Sequence, residues 1–194
     1  HRYGNGVSET VIGNFLNSSG YQGKIITKFE ISDFNIMSAQ LKISQERLKR
    51  LSFSVLLHNP DLGDKKKLDI GIRWLYYLMN IDIADSVGIS SEPDPGLEEI
   101  YKKNDRMTII EFPLSYLDTR AKSYMAFLKE RTDLLRIANR CLGGPDNKFR
   151  DIDMAMEYLS MNQSFFDVAL VGTLNIDHLY SLINMMKRKE LVPR

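Results

Sequence analysis

Four short apolar runs end in residues that can do chemistry. Lys28 closes IITK, His58 closes SVLLH, Ser90 and Ser91 close VGISS, and Gly172 with Thr173 closes ALVGT. Near the start, Tyr3 stands before a Gly-Asn-Gly turn. The runs are rich in β-branched and aliphatic residues and read as strands, so parallel pairing would bring their last residues to one rim. Taken singly, each residue has an ordinary role: a strand-end lysine laying its stem on apolar surface, a histidine capping a loop, a tyrosine filling a turn. Together they suit reduction of a carbonyl by hydride. The developing alkoxide needs a proton, and a tyrosine of ordinary pKa, about 10, gives one up poorly until a nearby cation stabilises its phenolate. A lysine supplies that charge. A histidine donating to the carbonyl oxygen orients it and stabilises charge as it forms.

The strands that carry these residues alternate with helices along the chain. KIITKF (24–29), FSVLLH (53–58), ADSVGIS (84–90), MTIIEF (107–112), DLLRIAN (133–139) and DVALVG (167–172) are strand-like. Each precedes a segment of helical period, at 36–50, 67–80, 95–104, 120–131, 151–161 and 176–189, and a further helix signal at 8–16 comes before them all. Such alternation argues for a parallel sheet covered on both faces by right-handed crossovers. A doubly wound open sheet usually carries a glycine-rich phosphate loop after its first strand, yet neither GxGxxG nor GxxxxGK[ST] occurs. The glycines at 4 and 6 and at 143–144 form no such loop. A closed eight-stranded barrel instead places its chemistry just past several strand C-termini, where the residues named above lie.

Composition narrows the partners. The 194 residues are 43% hydrophobic, enough for a real core, and 26 Lys and Arg balance 25 Asp and Glu, so no overall charge draws the chain to nucleic acid or acidic membranes. The one cysteine, Cys141, excludes an intramolecular disulfide and a cysteine-built zinc site, and fits the cytoplasm. Three scattered histidines suggest no metal, and the longest apolar stretches fall well short of the roughly 20 residues that cross a bilayer. Leu191-Val192-Pro193-Arg194 reads as the remnant of a cleavable tag linker and is set apart from residues 1–190, which are expected to form one domain.

Six stretches, in order, carry a family resemblance: YGNG followed by Ser-Glu at 3–9, IITK at 25–28, LLHNPD at 56–61, VGISS at 87–91, IANRCLGG at 137–144 and ALVGTLNIDHL at 169–179. The sequence resembles the aldo-keto reductase superfamily. The resemblance implies an α/β fold of the (β/α)8 TIM-barrel type, with about six of the eight units in this sequence. It also implies a nicotinamide cofactor bound in extended form without a Rossmann fold, NADP(H) being favoured over NAD(H). Its roles fall on Tyr3 as proton donor, Lys28 as the cation that tunes it, and His58 as the group that orients the carbonyl. The family's aspartate partner of the lysine, with two strands and a helix, is expected upstream of His1. Two internal stretches, before SVLLH and between Gly144 and Asp151, are shorter than the family pattern.

The same resemblance marks a cofactor pocket with departures. Ser90 and Ser91 take the place of a Ser-Asn pair that holds the nicotinamide carboxamide, and Glu111 that of a glutamine. A carboxylate there accepts but cannot donate. The ordinary alternative for Glu111 is a strand-end carboxylate paired with Lys or Arg. Asn139 stands where many members stack an aromatic ring, and Arg140 is a candidate phosphate ligand. Gly172, Thr173 and Asn175 match the adenosine-phosphate segment, while Leu174 replaces a residue that is often basic. Asp177 and His178 read as capping and surface charge at the start of the last helix. The implied partner is a small-molecule carbonyl substrate, an aldehyde, ketone or sugar-like compound. The alternative is an aldo-keto-reductase-like protein that binds cofactor or a partner without turnover. Oligomeric state is left open.

Overall fold

The computed structural model describes residues 3–118, 120–143, 151–173 and 175–190, with backbone only for Tyr3, Tyr124 and residues 185–190. Gly144, Leu174 and the 191–194 stub lie outside the described residues. Six strands run in the order β1-β2-β3-β4-β5-β6, and each is followed by a helix. By its internal contacts the chain divides into two units, His1–Ile110 and Glu111–Arg194.

The first unit contains α1 (Val7–Ser19), β1 (Ile26–Phe29), α2 (Phe34–Leu48), β2 (Ser54–His58), α3 (Lys65–Asn80), β3 (Val87–Ser90) and α4 (Gly96–Lys103). α2 and α3 begin where side chains satisfy free backbone N–H groups. The Asp33 carboxylate accepts from Asn35 N at 2.8 Å and Asp64 from Lys67 N at 3.0 Å. β1 and β2 pair in parallel with Lys28 opposite Leu56, and β2 and β3 with Leu56 opposite Gly88 and His58 opposite Ser90. Side chains alternate along a strand, so one face carries Phe29, Leu57 and Ile89, all fully buried. Against that face lies α3, whose Trp74 meets Phe29 edge-on at 5.3 Å, and whose Gly71 leaves no room for a Cβ beside Ile31 and Leu57.

β4 (Ile109–Pro113) comes unusually close to β3, since a Cβ on Gly88 would sit 1.7 Å from the Ile109 carbonyl oxygen. The buried Tyr101 of α4 spans the two strands: its hydroxyl accepts from Ile89 N at 2.9 Å and donates to Ile109 O at 2.5 Å. Tyr101→Phe removes one partner from each of two buried backbone groups. A loss of about 1–2 kcal/mol in unfolding free energy is expected by urea denaturation, with the slope unchanged.

The second unit takes in the rest of β4, then α5 (Met125–Glu130), β5 (Leu135–Asn139), α6 (Ile152–Met161), β6 (Val168–Ala169) and α7 (Ile176–Glu190). β5 and β6 are parallel, with Ile137 opposite Val168. Several elements are shorter than expected from the sequence, two in this unit most of all. The helix expected over 120–131 opens as a 3-10 turn, Arg120–Tyr124, before one short α segment. The strand expected over 167–172 keeps two ladder residues, with Val168 and Leu170 exposed at the end of the strand order. The unit's main polar anchor is Arg136, 8% exposed. It makes a two-point bridge to Asp167, with Nε at 3.0 Å and Nη2 at 2.7 Å, and also donates to the carbonyls of Leu128 and Ser164.

Among the described residues no helix is long and apolar enough to cross a membrane. None of their His, Cys, Asp and Glu side chains gather in threes that could hold a metal ion.

Candidate active site

The parallel register puts Lys28, His58 and Ser90 on one face at the C-terminal ends of β1, β2 and β3. Lys28 Nζ donates to Ser90 Oγ at 3.3 Å. The β2/β3 pairing reaches one residue past the strand, because Asn59 N donates to Ser90 O at 2.7 Å with Asn59 in a left-handed conformation, φ 44°. That turn leaves His58 half-buried at the end of the ladder. It borders a cleft of about 420 Å³ shared with Glu30, Asn59, Asp61 and Lys67. Ser90 and Ser91 are both buried, 2% and 8% exposed.

Tyr3 begins a tight turn, Tyr3–Gly6, that feeds α1. Gly4, Asn5 and Gly6 take φ values of 58°, 52° and 89°, three consecutive left-handed residues. Only glycine and asparagine adopt that region readily, which accounts for Gly-Asn-Gly after the tyrosine. The tyrosine side chain lies outside the described atoms.

In the second unit, Glu111 lies within β4 and is 2% exposed. Asn139 Nδ2 donates to its Oε1 at 2.5 Å. An amide is thus one partner of the Glu111 carboxylate. This contact uses the amide nitrogen and turns Asn139 Oδ1 the other way. That oxygen is buried and has no hydrogen-bond partner among the described residues. Arg140 follows in an exposed left-handed turn, φ 51°, and with the Arg120 side chain, which dominates, helps hold the Asp118 carboxyl below its usual range.

Gly172 is exposed with open space where a Cβ would stand. Thr173 Oγ1 accepts from Asn175 N at 3.1 Å, and Asn175 Oδ1 accepts from Asp177 N at 2.8 Å. The cap of α7 therefore falls to Asn175 rather than to Asp177 or His178. Burial pushes the Cys141 thiol up to about 12, which excludes it as a thiolate nucleophile near neutral pH.

Sequence reasoning gave no role to Glu9, which is buried beside Thr27, Ser44 and Arg47, nor to the Arg136–Asp167 bridge. In both cases the partners lie 18 to 38 residues apart in sequence and share no local period.

No family model matches the chain, and no curated protein does. Solved structures do. An aldo-keto reductase from Bacillus halodurans in its apo form is 18% identical, with a TM-score of 0.74 over 96% of this chain and 72% of that one. An aldo/keto reductase from Klebsiella pneumoniae in complex with NADP and acetate is 15% identical, with a TM-score of 0.77 over 95% and 72%. A Klebsiella pneumoniae aldo-keto reductase in complex with NADPH is also 15% identical, with a TM-score of 0.78 over 96% and 72%. At such identities the likeness is one of backbone architecture. With six parallel strands each followed by a helix, the chain has the (β/α)8-type fold of the aldo-keto reductases.

Proposed function

We propose that this protein is a cytoplasmic NAD(P)H-dependent oxidoreductase that interconverts a carbonyl and an alcohol on a small aldehyde, ketone or sugar-like compound. The observation that carries the reading is the placement of Lys28 and His58 on one face at adjacent strand ends, with the Lys28 ammonium tied to Ser90. When bound, the nicotinamide supplies the hydride.

The residues divide the remaining work. His58 donates to the carbonyl oxygen and fixes its direction, and Tyr3 gives the proton that the alkoxide needs. Lys28 lowers the cost of the phenolate left behind. Ser90 Oγ, which accepts from Lys28, holds the ammonium in place and still has its own O–H to give a carboxamide oxygen.

The cofactor fits the polar groups present. Ser91, Glu111 and Asn139 are assigned to the nicotinamide on the family resemblance; within the second unit, Asn139 Oδ1, buried and without a hydrogen-bond partner among the described residues, would accept from an N–H donor. Arg140, Gly172, Thr173 and Asn175 would meet the phosphate and adenosine end, the backbone at Gly172 being open. NADP(H) is preferred over NAD(H) on the family resemblance, and solved relatives of this fold carry NADP or NADPH.

Lys28→Met tests the role of the cation. The rate of carbonyl reduction is expected to fall by about 10²-fold or more with the fold intact by circular dichroism. An unchanged rate would remove Lys28 from the mechanism. The whole reading is tested by titrating the full-length protein with NADPH and then adding a panel of aldehydes, ketones and sugars. Cofactor binding followed by loss of absorbance at the reduced-nicotinamide band is expected. Binding without oxidation across the panel would point to a module that holds cofactor without turnover.

A further inference from the structure

We propose that Glu9 is a positioning residue that holds the Tyr3 turn against the strand carrying Lys28, an assignment that rests on the reading of Tyr3 and Lys28 as acid and cation. Glu9 lies in the first turn of α1, six residues after Tyr3, and is only 7% exposed. Its Oε1 accepts from Thr27 Oγ1 at 3.1 Å and from Ser44 Oγ at 2.9 Å, and its Oε2 lies 3.5 Å from Arg47 Nη1. Thr27 is the residue before Lys28 on β1, while Ser44 and Arg47 sit three apart on one side of α2. One carboxylate therefore ties together the helix that follows Tyr3, the strand that carries Lys28 and the helix between β1 and β2.

The packing around it leaves little slack. Arg47 lies over the turn itself, its Cζ 2.1 Å from where a Cβ on Gly6 would stand. Further along α1, a Cβ on Gly13 would fall 2.0 Å from the Arg47 carbonyl oxygen, so α1 and α2 meet at backbone distance. Thr10 Oγ1 closes the other side by donating to Gly6 O at 3.1 Å. Gly4, Asn5 and Gly6 make the left-handed turn accessible, and Arg47, paired with Glu9, lies over it and holds it in one arrangement. Stability alone is a poor reason for a carboxylate here, because well-packed apolar groups serve a buried site at least as well as an ion pair.

A double-mutant cycle in the full-length protein separates positioning from plain stability. Glu9→Gln keeps the shape and removes the charge facing Arg47, and it is the variant of choice if Glu9→Ala does not fold. In single turnover, Glu9→Gln is expected to slow hydride transfer by about tenfold to a hundredfold with NADPH affinity within about twofold, and to change the Tyr3→Phe rate by less than about twofold. An equal fold-loss in both backgrounds overturns the positioning role. Amide hydrogen exchange gives a readout independent of turnover: residues 5–10 should exchange faster in Glu9→Gln while β2 and β3 keep their protection. Unchanged exchange at residues 5–10 overturns the brace. If instead Tyr3→Phe transfers hydride as fast as wild type, the catalytic reading falls and the exchange result alone decides whether Glu9 holds the turn.

Discussion

Tyr3→Phe is expected to slow carbonyl reduction by about 10²–10⁴-fold while NADPH affinity stays within about twofold. The substitution deletes one hydroxyl and keeps the ring, so the left-handed turn at Gly4, Asn5 and Gly6 and its packing under Arg47 have no reason to change. What is lost is the only proton donor assigned to the alkoxide. In the proposed division of roles His58 orients the oxygen and Lys28, which donates to Ser90 Oγ, tunes the phenol, so neither is assigned to replace it. The expected signature is a fall in kcat with little change in cofactor binding, measured by stopped-flow absorbance and fluorescence titration. Retention of a wild-type rate would place the proton donor elsewhere.

Asp167→Ala is expected to lower unfolding free energy by about 3 kcal/mol, the largest stability effect anticipated outside the apolar core. Arg136 is the buried partner, its side chain 9% exposed, whereas Asp167 is 39% exposed. Removing the carboxylate strands a buried guanidinium with two backbone carbonyls, those of Leu128 and Ser164, as its remaining acceptors. Partial access of water through the Asp167 side keeps the loss at the lower end of the range for buried pairs. The pH dependence follows. Hydrogen bonding to Arg136 holds the Asp167 carboxyl below its usual range, so the folded state binds its proton less tightly than the unfolded chain does. That contribution is fully present above the unfolded carboxylate pKa, about 4, and is lost as pH falls through the lower folded value. Between neutral pH and about pH 3, wild type should lose more stability than Asp167→Ala, as read by urea midpoints.

The strands that position the site were legible from their composition and from the helices that follow them. IITK, SVLLH and VGIS stand out as short β-branched and aliphatic runs, each followed by a segment of helical period, and that alternation implied the parallel sheet found. The start of α5 was not. The segment RAKSYMAFLKER has helical spacing, but Arg120 donates through its backbone N and its guanidinium to the Asp118 carboxylate, and this local turn delays the α-helix to Met125. Polar pairings escaped for a different reason. An acid in the first turn of a helix reads as a favourable surface charge, and nothing near Glu9 in sequence signals that Ser44 and Arg47 will cover it. Likewise Glu111 finds an amide, Asn139, on the next strand, 28 residues away. Tertiary contact, rather than local propensity, decides such pairs.

Hydride transfer itself is the most direct measurement. The full-length protein would be given NADPH carrying deuterium on the transferred position of C4, with an aldehyde or sugar substrate, and the alcohol product examined by mass spectrometry. One deuterium bonded to the carbinol carbon, formed by wild type and lost in Tyr3→Phe, is the predicted result. Product without deuterium, or no product across the panel from a protein that binds NADPH, would contradict it.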